Sequence, residues 1–334
     1  MIKTDIFVVG AGMAGLTLAN ELTVSGMAVT CAEKARGSGG RLSSKRIEHP
    51  KGSISFDLGA SGFTAKTNVF KAKLDEWQKR GVVDFWLESD GEPVYVGVPR
   101  SSSVTRYMAE NTNVHFATRI TKIEKQGEGW YLYHQSTEGE EVFALTQQVV
   151  LASPAPQTFD LLPNNHPLKA SLEKVEIFSQ WVMMVALDRP LDIPELTHKM
   201  CKSIESVSLE NSKPKRVTEA GLYVYAVQAS TQWSDQFINE TPEVVEKLLI
   251  KELKKELGID LDVQASYVHR WLYSQGSVNG HYDAGFLAGE DGLYVCGDYL
   301  LSELKLGGVE SAFLSGKALS QYIIQQTNEL ARVG

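Results

Sequence analysis

Two hydrophobic periods alternate along this chain. Ile6, Phe7, Val8 and Val9 form an apolar, β-branched run that stops at Gly10-Ala11-Gly12-Met13-Ala14-Gly15, and an Ala/Leu-rich helical pattern follows over Leu16–Val24. Ala28–Ala32 reads as a second strand ending at Glu33, and Ser53–Asp57 alternates as a third. Val69, Phe70, Leu74 and Trp77 share one face of a helix capped by Asn68 and stopped by Gly81. Val82–Leu87 and Glu92–Val98 flank Asp90-Gly91, a hairpin turn signal. After a short helix over Ser101–Glu110, the runs Val114–Ile123, Gly129–His134 and Glu141–Leu151 suit an antiparallel meander laid over the first sheet. Further strands are expected over Ile177–Leu187, Leu222–Ala229 and Val263–Tyr273. A helix runs from Thr241 (N-cap) and Pro242 to Gly258, with Val244, Val245, Leu248, Leu249, Leu253 and Leu257 on its apolar face. Gly292–Asp298 is a last strand, and Gly307-Gly308 opens a final helix.

The opening strand, tight turn and helix are the context that a dinucleotide fingerprint needs. Gly10 permits the turn, Gly12 lets backbone approach a pyrophosphate, and Gly15 lets helix and strand pack closely. The helix N-terminus presents unpaired N–H groups and a positive dipole end to phosphates. Glu33 follows Gly15 by close to the roughly twenty residues expected before an acidic ribose ligand, which would repel a 2′-phosphate. A second glycine loop, Gly37-Ser38-Gly39-Gly40-Arg41, is superfluous for a nicotinamide dehydrogenase but suits the longer ribityl-pyrophosphate of a flavin. Asp298 suits a ribityl hydroxyl, and the helix after Gly308 suits the electron-rich pyrimidine edge of the ring. Three separated cofactor-contacting segments point to FAD.

With these residues in view, the chain resembles the FAD-dependent amine oxidase superfamily and, within it, bacterial renalase-type proteins. The resemblance runs nearly end to end, carried by Lys34–Arg46, Asp57–Ala65, Val104–Ala109, Ser153–Thr158, His269–Ser274, Leu293–Tyr299 and Gly308–Ala318. It implies an α/β fold: a Rossmann-like FAD-binding domain (parallel sheet with β-meander; 1–66, 101–166, 284–334) and a discontinuous α+β substrate domain with a mixed or antiparallel sheet (67–100, 167–283). The expected non-covalent FAD contacts are Gly10, Gly12, Met13, Ala14, Gly15, Glu33, Lys34, Gly40, Arg41, Gly59, Ala60, Ser61, Ile120, Gly297, Asp298, Gly308 and Val309.

The expected catalytic set is Tyr299, Trp271 and His269. Tyr299 follows a flavin ligand, and alternation puts Tyr267, His269, Trp271 and Tyr273 on one strand face. Each also has a structural reading: Trp271 and Tyr273 as core packing, His269 as a satisfied structural histidine. Trp181 and Trp233 are pocket candidates on the resemblance alone. Amine oxidases of the superfamily carry a lysine near flavin N5 on the strand resembling Tyr267–Tyr273, whereas no Lys lies between Lys255 and Lys305 here. That favours the renalase type, which oxidises 2- and 6-dihydro isomers of NAD(P)H to NAD(P)+, O2 becoming hydrogen peroxide. Ser61-Gly62, Tyr299 and the Leu300–Leu306 loop depart from the relatives, and all are expected to border the flavin or the pocket.

Composition narrows the classes. The 334 residues are 43% hydrophobic and 22% charged, ordinary for a globular enzyme, and the net charge of −8 comes without a basic run for nucleic acid or an anionic membrane. Cys31, Cys201 and Cys296 are odd in number and scattered, as in a reducing compartment, and the seven histidines show no metal spacing. With the first strand starting at once, no signal peptide is expected, and no apolar run reaches the roughly eighteen residues of a membrane span. A soluble, cytoplasmic oxidase of a small molecule is therefore expected. The alternatives are a flavin oxidase or desaturase acting on an amine or cyclic intermediate, and a flavin-binding protein without turnover.

Overall fold

The computed structural model describes residues 1–217, 221–278, 284–304 and 306–333. β1 (Ile2–Val9) leads through the glycine turn into α1 (Met13–Val24), which returns to β2 (Val29–Ala32). After the second glycine loop come β3 (Ser44–His49) and β4 (Gly52–Asp57), an antiparallel hairpin of which alternation revealed only the second strand. α2 (Asn68–Lys79) is capped by Thr67, not Asn68: the Thr67 hydroxyl accepts from the Phe70 N–H at 3.3 Å. β5 (Val83–Ser89) and β6 (Glu92–Gly97) form the expected hairpin, with Asp90 and Gly91 both at positive φ. α3 (Ser102–Glu110) follows.

The run Val114–Ile123 is not one strand. β7 (Asn113–His115) joins β2 in parallel, and β8 (Ile120–Gln126) starts the meander with β9 (Gly129–Ser136) and β10 (Gly139–Leu151). Between β7 and β8 the chain turns at Ala117 (φ 52°), and the Ala117 and Thr118 N–H groups bond to the carbonyls of Ala35 and Glu33. The meander is continuous with the first sheet through β10 and packs Ile120, Ile123 and Leu132 in one cluster with Phe7, Val9 and Ala32 of that sheet. β10 pairs with β9 along Gly139–Thr146 and with β1 along Ala144–Leu151.

α4 (Ala155–Leu161) and α5 (Leu168–Leu172) lead to β11 (Val175–Leu187), β12 (Leu196–His198), β13 (Ile204–Leu209) and β14 (Tyr223–Ala229). α6 (Thr231–Gln236) and α7 (Pro242–Leu257) precede β15 (Val263–Val278). β16 (Phe286–Ala288), β17 (Leu293–Cys296) and α8 (Gly308–Val333) complete the chain. Residues 218–220 and 279–283 of the second insertion, and Lys305 of the Leu300–Leu306 loop, lie outside the described residues. No helix among the described residues is long and apolar enough to cross a membrane.

The eight-stranded sheet runs β16-β17-β10-β1-β2-β7, with β8 and β9 beside β10. α1 packs on one face against α3 and α8, its side chains buried because helices and sheet enclose it. The five-stranded antiparallel sheet, β12-β13-β14-β11-β15, has two unlike faces. Trp181, Met183, Val185, Tyr225 and Val227 meet Trp233 and α7 on one. Met184, Ala186 and Val224 meet Ile54, Phe56 and Leu58 on the other. The second face therefore looks onto the chain entering Leu58–Ser61.

Candidate functional site

At the first glycine turn, Gly10 has φ 109°, and a side chain there would sit 2.8 Å from the Ala152 carbonyl. A Cβ on Gly15 would fall 2.1 Å from the Gly10 carbonyl, so only glycine lets α1 start this close to β1. A Cβ on Gly12 would meet nothing within 4 Å, which leaves its backbone open to a ligand. Met13 and Ala14 are buried in the first turn of α1. Glu33 reaches the same place: its carboxylate accepts from the Ala11 and Ala35 N–H groups, each at 2.9 Å. Lys34 turns away and donates to Gln157 at 3.1 Å. Ile120 is buried at the start of β8, two residues past the Thr118–Glu33 backbone bond.

The second glycine loop and the distant C-terminal segment meet through charge. The Arg41 guanidinium donates to Asp298 at 2.8 and 2.6 Å and to the Ser274 carbonyl at 2.8 Å. Burial works against the Arg41 charge, but the Asp298 carboxylate outweighs it and holds the guanidinium above its ordinary value. The Leu58–Ser61 segment crosses beside this pair. A Cβ on Gly59 would lie 1.9 Å from the Arg41 carbonyl, and the Ala60 N–H donates to that carbonyl at 3.1 Å. Gly297 donates its N–H to Ser315 at 2.9 Å, and Gly308 and Val309 begin α8 against Asp298. Gly40 (φ 51°) is exposed with open space above it.

These residues fit a flavin dinucleotide. Of three buried hydroxyls without a hydrogen-bond partner among the described residues, two lie at these segments, Ser38 Oγ in the second glycine loop and Ser61 Oγ in the crossing. Buried polar atoms are rarely left unpaired, so both mark places where a polar ligand belongs. The Gly62 departure has a packing cause. A Cβ there would lie 2.6 Å from Val94 Cγ1, because Phe63 bridges to Tyr95 in the hairpin.

Of the catalytic candidates, the structure brings two to the crossing. Trp271 Nε1 donates to the Leu58 carbonyl at 2.8 Å, and its ring lies 4.5 Å from that of His269 in a T-shaped pair. Burial, then the Lys45 charge, holds the His269 imidazole below its ordinary value, so it is neutral at pH 7. Tyr299 lies near the Arg41–Asp298 pair but turns its hydroxyl away from the crossing. It is buried among Leu162, Leu172 and Leu300, with its hydroxyl 3.4 Å from the Ser153 carbonyl, and burial raises its phenol strongly. Trp181 and Trp233 lie on the helix-covered face of the five-stranded sheet, opposite His269 and Trp271.

Other residues escaped sequence reasoning. Gln228 donates to the Gly59 carbonyl and pairs with Ser206, while Gln180 bonds to the Ala229 carbonyl at 3.0 Å and accepts from Ser274 at 2.9 Å. Two glutamines inside apolar strands were the available signal. Below the crossing lies a buried tetrad: Asp57 binds Lys213 (3.1 Å) and Arg216, Glu210 binds Lys213, and the Asp57 N–H donates to Glu210 at 3.0 Å. Glu310, in the first turn of α8, accepts from the Lys66 N–H at 2.9 Å and from the Thr67 N–H and hydroxyl at 2.7 Å each, holding the start of α2.

Comparison with known proteins agrees with this geometry. The chain matches a Rossmann-like NAD(P)-binding domain over residues 8–77 and the flavin containing amine oxidoreductase family over residues 83–324. A 4-hydroxybenzoate brominase (decarboxylating) of Marinomonas mediterranea is 28% identical over 166 residues, 48% of this chain and 28% of that protein. Its counterpart in Pseudoalteromonas luteoviolacea is 27% identical over 141 residues, 42% of this chain and 24% of its own length. The matches thus span about a quarter of these curated relatives. Among solved structures, one provisionally assigned as a protoporphyrinogen oxidase of Exiguobacterium sp. 255-15 superposes with a TM-score of 0.73 at 14% identity, covering 97% of this chain and 99% of that one. A redesigned putrescine oxidase gives 0.65 at 10% identity over the same shares. The chain belongs to the flavin containing amine oxidoreductase family.

Proposed function

We propose that this chain binds FAD without a covalent bond and oxidises the 2- and 6-dihydro isomers of NAD(P)H to NAD(P)+, with O2 reduced to hydrogen peroxide. The observation that carries the reading is the face of β15 at the Leu58–Ser61 crossing, which offers a neutral imidazole and an indole, while β15 itself contributes no lysine. Loss of hydride from a neutral dihydropyridine gives an aromatic pyridinium directly, so this reaction asks for orientation and not for a base. Amine oxidation asks for an amine kept neutral, for which β15 supplies no group beyond His269.

When bound, the flavin supplies a two-electron acceptor that O2 regenerates. The protein's part is binding and aim. Glu33 would accept from ribose hydroxyls, the N–H groups of the first turn of α1 would meet pyrophosphate, and Arg41 and Asp298 would hold the ribityl region. Trp271, fixed through Leu58, forms a flat wall for the substrate ring, and His269 offers a hydrogen bond without adding charge. A non-covalent cofactor is supported by the thiols. Cys31 and Cys296 are buried in the large sheet, and burial pushes Cys296 up to about 12.

Anaerobic stopped-flow mixing tests the reaction. The 2- and 6-dihydro isomers are expected to bleach the flavin absorbance far faster than ordinary NADH or simple amines. Bleaching by a cyclic amine or another reduced ring, and by no isomer, would replace this reading.

A further inference from the structure

Several basic side chains around the crossing are compensated by carboxylates. Arg41 is paired with Asp298, and Lys213 and Arg216 are paired with Asp57 and Glu210. Lys45 is half-buried, and its ammonium has no carboxylate or hydrogen-bond acceptor among the described residues. It lies over the Tyr267 ring, 5.2 Å from the centroid. Its position follows from the hairpin. Lys45 pairs with Phe56 and Ile47 with Ile54, so all four share the face of β3 and β4 turned to the five-stranded sheet. Phe56 packs on Tyr267 at 5.8 Å, and Leu58 binds Trp271, so β4 and its continuation run alongside Tyr267, His269 and Trp271. Lys45 thus stands at the level of Tyr267 and His269, and its charge is felt by that imidazole. An ammonium in such a place normally has a partner or extends fully into water.

We propose that Lys45 is an anion-binding post of the substrate cleft: the substrate carries a carboxylate or phosphate that meets Lys45 beside Tyr267 and His269, and ammonium-bearing amines are disfavoured there. The inference rests on the reading that substrate lies on the His269–Trp271 face of the crossing, and it adds the charge of the substrate. The protein is acidic overall, with net charge −8, so an anionic substrate needs such a local cation.

Difference absorbance of the flavin in the holoenzyme tests it, with benzoate, phenyl phosphate, benzamide and benzylamine as probes. In the wild type, benzoate or phenyl phosphate should bind at least about tenfold tighter than benzamide, with benzylammonium weakest. The order of the two anions separates a carboxylate site from a phosphate site. Lys45→Met should abolish the anion preference and leave benzamide unchanged, whereas Lys45→Arg should restore it, and both should keep their flavin. Equal binding of benzoate and benzamide by the wild type, an unchanged ratio in Lys45→Met, or no spectral response to either anion overturns the proposal. Flavin reduction by the dihydronicotinamide isomers is read separately. An anion post without that activity removes only the functional reading, and the activity without a post removes only this one.

Discussion

Replacing Lys213 by Met should destabilise the holoenzyme far more than loss of a surface lysine. The Lys213 side chain is 0% exposed, and Asp57, Glu210 and Arg216 around it are at most 2% exposed. The two carboxylates and two cations cancel, and deleting one cation leaves a net buried negative charge. Asp57 keeps Arg216, the Ser101 N–H and hydroxyl, and the Ser44 hydroxyl. Glu210 fares worse, because its remaining cation, Arg216, is 3.9 Å away. Breaking a buried pair costs about 3–5 kcal/mol, and the ligands left on Asp57 put this case near the lower end. The sign of the pH dependence follows from Asp57. Burial raises its carboxyl, but Lys213 and Arg216 hold it well below the carboxylate range. Its contribution to stability is therefore complete above the unfolded value of about 3.9 and is lost as pH falls through the folded value. Without Lys213 the folded value rises, so less stability remains at pH 7 and acid unfolding begins at higher pH. Urea unfolding, followed by circular dichroism and by flavin fluorescence at pH 7 and under acid conditions, measures both effects. The Asp57→Asn/Lys213→Met double variant should lose less than the sum of the singles. A Lys213→Met protein within about 1 kcal/mol of wild type, the range of an exposed pair, would refute the reasoning.

Two further perturbations test the cofactor side. Glu33→Ala removes the acceptor proposed for two ribose hydroxyls, each charge-assisted bond being worth roughly 1.5–3 kcal/mol, so FAD affinity should fall at least about tenfold with circular dichroism unchanged. A flavin titration with no change would displace Glu33 from the ribose. Glu310→Ala leaves the Lys66 and Thr67 N–H groups without their carboxylate, and stability should fall by about 2–3 kcal/mol in urea. An unchanged midpoint would show that water replaces the carboxylate without loss.

The glycine-turn fold was legible because its signal is local in sequence. Strand, glycine turn and helix occupy Ile2–Val24 without interruption, and the close contacts at Gly10 and Gly15 leave little choice of residue. Adjacency misled at Tyr299. A 3-10 turn over Asp298–Leu304 sends successive side chains to different sides, so Asp298 meets Arg41 while Tyr299 turns back to Ser153. Val114–Ile123 misled for a similar reason. Alternation is blind to a single positive-φ residue, and Ala117 is enough to divide one strand between two partners.

The proposed substrate face was less legible because it is assembled sideways. Ser206, Gln228, Val182 and His269 form one row across β13, β14, β11 and β15, each the register partner of the next. Neighbouring strands lie about 4.8 Å apart, so the row places groups from four distant segments within reach of one small molecule. No window of sequence contains that row. It exists only once the register is set, and the bulge between Phe178 and Gln180 shifts β11 against β15 just where Trp271 sits. Lys45 and the Asp57 tetrad come from still another direction, the β3–β4 hairpin and the Glu210–Arg216 segment, whose charges look like ordinary surface charges along the chain. Burial and pairing tell them apart. The tetrad is enclosed and neutralised and so serves the position of the crossing, whereas Lys45 has no carboxylate partner among the described residues and lies over the Tyr267 ring, which is why the proposed anion is placed there.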